Sequence, residues 1–355
     1  MDVTKEVLLE IINAGIRAPS GDNSQPWRFE IEKDVLELYN IPDRDNPFYN
    51  FKQRGSLVAH GALIENMTTT ASHSGYEMRA ELHANELKDN LVARITFHRS
   101  EPKSELLYPS IFKRATNRKP YNSKIALTAE QKTMLTESVK NIPDINFTLT
   151  ESSEDKKEIG TAVSTNEIVA LETEKLHNIF FSDIVWTEKE EKEKRKGLYI
   201  KTLELPPPIQ LLFRGLKHWK FNNALNKIGF AKGAAKGNAQ IYSSGSAIGI
   251  ITIKERTGNN FVNAGRAMER LWLASEYLGL SFQPIAGMLF LAQRIDENEA
   301  DSFNTGHQAI ISDAYKKIEN IFSTKGKTIS MLFRIGHAEK PSAYSSRLAP
   351  IIKYT

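Results

Sequence analysis

The stretch APSGDNSQPWRF, Ala18 to Phe29, sets the reading of the whole chain. Pro19 stops any helix before it, because its ring lacks a donor and clashes with the preceding turn. Ser20, Gly21, Asp22, Asn23 and Ser24 are turn formers, and Pro26 closes the loop. Phe29 and Ile31 then alternate with Arg28 and Glu30, as in a half-buried strand. Taken alone, such a loop need only join a helix to a strand.

Outward from this loop, Thr4 to Ala18 reads as a helix. Val7, Leu8, Ile11, Ile12 and Gly15 recur at three- and four-residue spacing, and Thr4 is a candidate N-cap. On the other side, Lys33-Asp34 is a turn and Leu36 and Leu38 alternate, which predicts a hairpin. Ser56 to Ser72 is a second helix, and Leu91 to Phe97 another strand. Glu101 to Pro109 is polar and proline-bounded, a candidate boundary. After it the order of elements begins to repeat. A helix at Thr128 to Lys140 precedes a strand at Ile145 to Leu149. Ala247 to Ile253 is a buried strand, Asn263 to Leu278 a helix apolar nearly all round, and Ile329 to Ile335 a late strand. Helices and strands without regular alternation predict an α+β fold.

Between about 171 and 240 the texture changes. A charge run, EKEEKEKRK (188–196), precedes LELPPPIQLLF (203–213). So irregular an insertion is a candidate lid. Trp186, Tyr199, Leu211 and Trp219 would give it apolar cover, and the charge run would stay in water.

The chain has 355 residues, 40% apolar and 25% charged, with a formal net charge of +4. That length can bury a large core. The charge is too small to mark a nucleic-acid binder. There is no cysteine, which excludes disulfides, thiolate nucleophiles and cysteine-ligated metals. No apolar run approaches the roughly 20 residues needed to span a bilayer. The N-terminal MDVTKEVLLE has early acids and no long apolar run, unlike a secretory signal. The expected location is the cytoplasm. Dinucleotide, P-loop, zincin and nucleophile-elbow motifs are absent, and no metal site is expected. His60 reads as a core or surface residue.

One further segment carries chemistry. In KRATNRKPY (Lys113 to Tyr121), Arg114, Thr116 and Arg118 lie two residues apart, so an extended chain aims all three the same way. Arginine forks and a hydroxyl suit a phosphate. By itself, a basic segment like this is more often surface decoration.

Together these segments resemble the nitroreductase superfamily. In APSGDNSQPWRF, Pro19, Ser20, Asn23, Gln25, Pro26 and Trp27 fall in the pattern of a loop that reaches across that family's dimer to the partner's flavin. The resemblance implies that Ser20 and Asn23 contact FMN. KRATNRKPY resembles the family's Arg-x-Ser-x-Arg motif, which implies that Arg114, Thr116 and Arg118 hold the FMN phosphate. In SAYSSRLAP, Arg347 matches a further basic position, while Ser345 stands where another basic residue is usual. NAGRAMERLWLASEYLGLSFQPIAG (Asn263 to Gly287) resembles the central helix and the turn against the isoalloxazine. There Pro284, Ile285, Ala286 and Gly287 would line the ring, and backbone N–H groups would face it.

The family's order is Arg-motif, then loop, then central helix. Here the loop comes first. RGSLVAHGALIENMTTTASHSGY (54–76) looks like a shortened copy of the central helix. The expected architecture is therefore a nitroreductase-like α+β fold of two fused degenerate copies. A shortened half covers 1–105, and a second half covers 106–355 with the insertion at about 171–240. The chain would be a monomer acting as an internal pseudo-dimer with one site, similar to the Acg-like FMN-binding branch. That resemblance implies an FMN oxidoreductase. NAD(P)H would be its co-substrate and a nitroaromatic, quinone or similar small molecule its acceptor. The flavin would carry the chemistry with no catalytic side chain. No nucleic-acid or membrane partner is expected. The alternative is a protein that sequesters or stores FMN beneath its lid.

Overall fold

The computed structural model describes residues 3–300 and 303–354; the termini that bound the two expected halves, Met1 and Thr355, lie outside them. The chain opens with α1 (Lys5–Gly15), whose first turn is capped by the Thr4 hydroxyl accepting from the Val7 N–H. After the Ser20–Pro26 loop come β1 (Trp27–Glu32) and β2 (Val35–Asn40), an antiparallel hairpin. The long helix α2 (Arg54–His73) leads to β3 (Tyr76–Leu82) and β4 (Leu91–Arg99). Next are α3 (Ala129–Val139), started by a Thr128/Gln131 capping box, and β5 (Ile145–Thr150).

The insertion is helical, not irregular. Before it come α4 (Ser153–Val163) and α5 (Thr165–Glu172); residues 171–240 then run through α6 (Glu174–Ser182), β6 (Ile184–Val185), α7 (Glu188–Lys194), β7 (Leu198–Tyr199), α8 (Pro207–Leu216), α9 (Trp219–Asn226) and most of α10 (Phe230–Tyr242). Pro207 and Pro208 start α8, where a missing N–H costs nothing. Then follow β8 (Ala247–Ile253), the second long helix α11 (Gly258–Tyr277), β9 (Ser281–Pro284), α12 (Gly287–Asp296), α13 (Thr305–Phe322), β10 (Thr328–Gly336) and β11 (Ile352–Tyr354).

Two main sheets result, ordered β11-β1-β2-β4-β3 and β5-β8-β10-β9. The fold is α+β, as the element order predicts. β11 pairs parallel to β1, so the last strand returns to the first sheet. Between the sheets, α2 and α11 pack on each other. The largest apolar core surrounds them, with Phe29, Leu36 and Ile95 from one sheet and Ile251, Phe282 and Phe333 from the other. The helices cross where neither carries a side chain. A Cβ on Gly61 would lie 1.9 Å from the Val262 carbonyl oxygen, and one on Gly265 would lie 1.9 Å from that of Val58. His60 is fully buried beside them and bonds through Nδ1 to the Ser56 carbonyl (2.6 Å). Burial pushes its pKa down to about 4, so it packs as a neutral ring.

The insertion departs from the sequence reading in two places. Glu191, inside the charge run, is buried. Leu211 is 72% exposed and covers nothing. Trp186 and Tyr199 do join an apolar cluster with Phe181, Phe213 and Leu216, and Trp219 packs edge-on to His177. Among the described residues, no helix is long and apolar enough to cross a membrane, and no acid–histidine group could hold a metal.

Candidate functional site

The Ser20–Pro26 loop is strained. Asp22, Asn23 and Gln25 hold φ values of 44°, 57° and 53°, which side chains other than glycine rarely adopt. Hydrogen bonds keep it so. The Ser20 hydroxyl accepts from the Gln25 N–H (2.9 Å), and Arg44 donates to the Gln25 carbonyl (2.8 Å). The buried Gln25 amide donates to the Arg195 carbonyl (2.7 Å) and accepts from the Leu348 N–H (2.8 Å). Asn23 donates to the Ser346 carbonyl (3.1 Å) and accepts from Arg347 (3.1 Å). The loop thus ties the C-terminal segment to a strap, residues 183–204, from the insertion.

Beside the loop is a cavity of about 90 Å³, lined by Arg17, Ser20, Asp22, Asn23, Arg114, Thr116, Arg118 and Arg347, among others. Arg114 lies over the Trp272 ring (4.6 Å), donates from Nε to Glu269 Oε1 (2.5 Å) and also reaches the Arg17 carbonyl. Thr116 pairs with Phe282, which sets the segment alongside β9. Arg118 donates to the Thr202 carbonyl of the strap (3.0 Å). Arg334 on β10 clamps the segment from behind, through the Lys119 carbonyl (2.8 Å) and the face of Tyr121. Arg347 donates to the carbonyls of Arg17 and Ser345 (3.1 Å each), and its buried Nε has no acceptor.

The charges around this cavity do not balance. Burial, then repulsion from Arg114 and Arg17, pushes Arg347 down to about 9 despite Glu269 and Glu191. Burial also lowers Arg118, and burial followed by Arg114 lowers Arg17. Burial raises Glu269 against the pull of Arg114. Asp22 rises to about 6 through burial and then Asp183, opposed by Arg118. Four guanidiniums face one small space, and an anion bound there would relieve their mutual repulsion.

The predicted turn lies elsewhere on the same frame. Pro284 ends β9 opposite Phe333, and the Ile285 N–H donates to the Leu332 carbonyl (2.7 Å). Ala286 precedes α12 and Gly287 opens it, where the first N–H groups have no intrahelical acceptor. So Ser20, Asn23, Arg114, Thr116, Arg118 and Arg347 meet at one cavity, and Pro284, Ile285, Ala286 and Gly287 are not among its lining residues.

Between cavity and turn lies a group the sequence did not reveal. A Cβ on Gly287 would be 2.9 Å from Asn166 Oδ1. The next residue, Glu167, accepts from the Tyr242 hydroxyl (2.6 Å) and Asn238 (3.0 Å), while its buried Oε2 has no partner. Burial lifts this carboxyl to about 7, against those two bonds. Arg118, at the cavity, is felt by Tyr242. No motif marks TNEIVALE. Arg17 was also missed, though it lies three residues before the loop.

No family model matches the chain. The uncharacterized protein MT1398 of Mycobacterium tuberculosis is 23% identical over 348 residues, 95% of this chain and 46% of that protein. A Mycobacterium tuberculosis protein provisionally named NAD(P)H nitroreductase acg is 28% identical over 122 residues, 34% of this chain and 37% of that one. The chain is similar to nitroreductases. It spans less than half the length of these two curated relatives. Among solved structures, a Bacteroides fragilis nitroreductase with bound FMN matches 69% of this chain and 95% of its own at 10% identity, with a TM-score of 0.36. The FMN-dependent nitroreductase NfnB of Mycobacterium smegmatis, in complex with NADPH, matches 66% and 89% at 12% identity, also with a TM-score of 0.36.

Proposed function

We propose that the chain is a cytoplasmic FMN oxidoreductase of the Acg-like nitroreductase branch, with one flavin site built from its two halves, 1–105 and 106–355. The observation that carries this reading is the under-neutralised cluster of Arg17, Arg114, Arg118 and Arg347 at one cavity, with an orphaned guanidinium N–H on Arg347. A phosphate monoester fits that deficit. Arg118 and Arg347 would grip its oxygens, and the Thr116 hydroxyl would add a short bond. Ser20 and Asn23 would face the sugar-alcohol chain. The N–H groups that open α12 after Ala286 would face the ring. FMN bound there would supply two-electron chemistry, from NAD(P)H to a quinone, nitroaromatic or similar acceptor. Glu167, lifted by burial to about 7 and so about half protonated at neutral pH, would hold a proton at Oε2 close to the ring's turn.

Purified protein should carry about one FMN per chain, read from absorbance after denaturation. Two per chain, or none after reconstitution, would overturn the reading.

A second reading, FMN storage, is favoured by one feature. Carbonyls of the strap, from Arg195 and Thr202, already occupy donors of Gln25 and Arg118. The cavity of about 90 Å³ is well below the roughly 300 Å³ usual for a small-molecule site, so the cover must shift to admit a flavin.

A further inference from the structure

The outer side of the insertion has a charge pattern unlike the rest of the chain. From Leu205 to Lys254 there are seven basic residues and no acidic one, whereas the whole chain has 47 basic and 43 acidic residues, so the remainder is net acidic. Six of the seven lie on or between α8, α9 and α10, which pack in succession: Arg214, Lys217, Lys220, Lys227, Lys232 and Lys236. All six are exposed, and none has a carboxylate within ion-pair distance among the described residues, though Lys217 stands close enough to Glu190 to help lower that carboxyl's pKa.

Apolar side chains stand among these cations. Leu211 on α8 and Ile228 before α10 are 72% and 82% exposed, the most exposed large apolar residues described, and Phe221 on α9 is also exposed. These helices are not short of apolar contacts, because Phe213 and Leu216 already pack inward against Trp186 and Tyr199. Along α10 the backbone itself is open: a Cβ on Gly229, Gly233 or Gly237 would meet nothing within 4 Å.

We propose that this face docks on an anionic lipid surface. Unpaired lysines and arginines attract phosphate headgroups, and apolar tips beside them enter the headgroup–acyl boundary. A protein partner would ask for one contiguous desolvated apolar centre ringed by polar residues. Here Leu211 sits on α8, Phe221 on α9 and Ile228 in the turn before α10, with Arg214, Lys220 and Lys227 near them in sequence, which suits a fluid array better than a fixed interface. Docking of this kind needs no membrane-spanning helix. It rests on the insertion's outer face alone and stands or falls independently of the flavin reading.

The test is co-sedimentation of the full chain with phosphatidylcholine vesicles, with or without about 30% phosphatidylglycerol. Binding should be at least about tenfold stronger to the anionic vesicles and should weaken as salt shortens the Debye length. Lys220→Glu with Lys227→Glu should cut binding by more than about tenfold. Leu211→Ser with Ile228→Ser should cut it roughly fivefold and leave its salt dependence in place. Both double variants change exposed residues only, so their melting temperatures should match the parent's. Equal binding to both vesicle types, or none, would overturn the proposal. So would full binding by the Leu211/Ile228 variant, or equal competition by soluble polyglutamate, since either means the face reads charge without lipid.

Discussion

Gly61 of α2 and Gly265 of α11 meet at the helix crossing in a reciprocal contact. Gly61 lies against Val262, and Gly265 lies against Val58. In each helix the valine precedes the glycine by three residues, and a buried glutamate, Glu65 or Glu269, follows it by four. Each glutamate pairs with arginine: Glu65 with Arg266 and Arg270 of the other helix, Glu269 with Arg114. A contact in which i meets j and j meets i is what a two-fold interface makes, here within one chain.

A methyl group has no room at this crossing. Gly61→Ala or Gly265→Ala must push two helix backbones apart, and each should destabilise the fold by at least ~1–3 kcal/mol. Gly233→Ala is the contrast. It lies inside α10 with nothing near its added Cβ, and should stabilise by ~0.5–1 kcal/mol through helix propensity alone. Urea denaturation of the three variants checks both signs. A neutral Gly61→Ala would mean that the helices are not this close.

The arginines separate binding from folding. Arg118→Ala and Arg347→Ala should each weaken FMN binding by ~1.5–3 kcal/mol, measured by quenching of flavin fluorescence. Arg114→Ala should do more. It also removes the ion-pair partner of buried Glu269 and leaves it only the more distant charge of Arg347, which should cost the fold on the order of 3–5 kcal/mol and lower Tm even without flavin. Full FMN retention by all three variants would place the phosphate elsewhere.

Much of this was legible in the sequence because it rests on local rules. Thr4, the turn residues 20–26 and the alternation at 36–38 and 329–335 act within a few residues. The two-residue spacing of Arg114, Thr116 and Arg118 is likewise local, and all three line one cavity. Residues 171–240 read as irregular because a charge run meets the prolines of LELPPPIQLLF, and the glycines at 229, 233 and 237 add no helical signal. In fact the prolines start α8, and the glycines face open space. Arg17 and Glu167 could not be ranked from sequence, since their roles come from burial and from partners far along the chain. Glu269 did leave a trace: Val-x-x-Gly-x-x-x-Glu occurs at 58–65 and again at 262–269, and aligning the two helices would have exposed it.

The buried acids set the pH response. Burial lifts Asp22 to about 6, Asp45 to about 7 with further repulsion from Asp22, and Glu167 to about 7. Their ordinary values are 3.8 and 4.5, so between those values and about 7 the folded chain binds more protons than the unfolded one. Stability should therefore fall as pH rises through that window and level off above it. Buried His60 opposes this, because its neutral ring, held near 4 against an ordinary 6.5, makes stability rise with pH up to about 6.5, but three raised acids outweigh one histidine. Glu297 also works in the opposite direction. Burial opposes its charge, but Lys52 and Arg54 outweigh it and hold the group at about 2. Its contribution is present above 4.5 and lost as pH falls through about 2. Tm should thus be higher near pH 5 than at pH 8, and Asp45→Asn should raise Tm at pH 8 and flatten the slope. A Tm that climbs from pH 5 to pH 8 would contradict this assignment.

The strap decides between turnover and storage. Two acids fasten it to the C-terminal segment: Glu191 accepts from the Ser346 N–H (2.6 Å), and Glu204 accepts from the Ser342 N–H (2.6 Å) and hydroxyl (2.7 Å). Replacing both by alanine removes three charge-assisted bonds and loosens residues 183–204, leaving the Gln25 and Arg118 bonds to the strap in place. It also takes the Glu191 charge away from Arg347, so flavin retention should be kept or increased. Under storage, the parent should be reduced slowly by NAD(P)H and the freed variant many times faster. Under turnover, the parent should already react at roughly 1–1,000 per second, and freeing the strap should change mainly the range of acceptors. Rapid mixing with NADH or NADPH, following loss of the oxidised flavin's visible absorbance, separates the two. Fast and equal reduction of both forms would exclude a sequestering strap. Slow reduction of the parent with fast reduction of the variant would make the strap a gate and storage the better account.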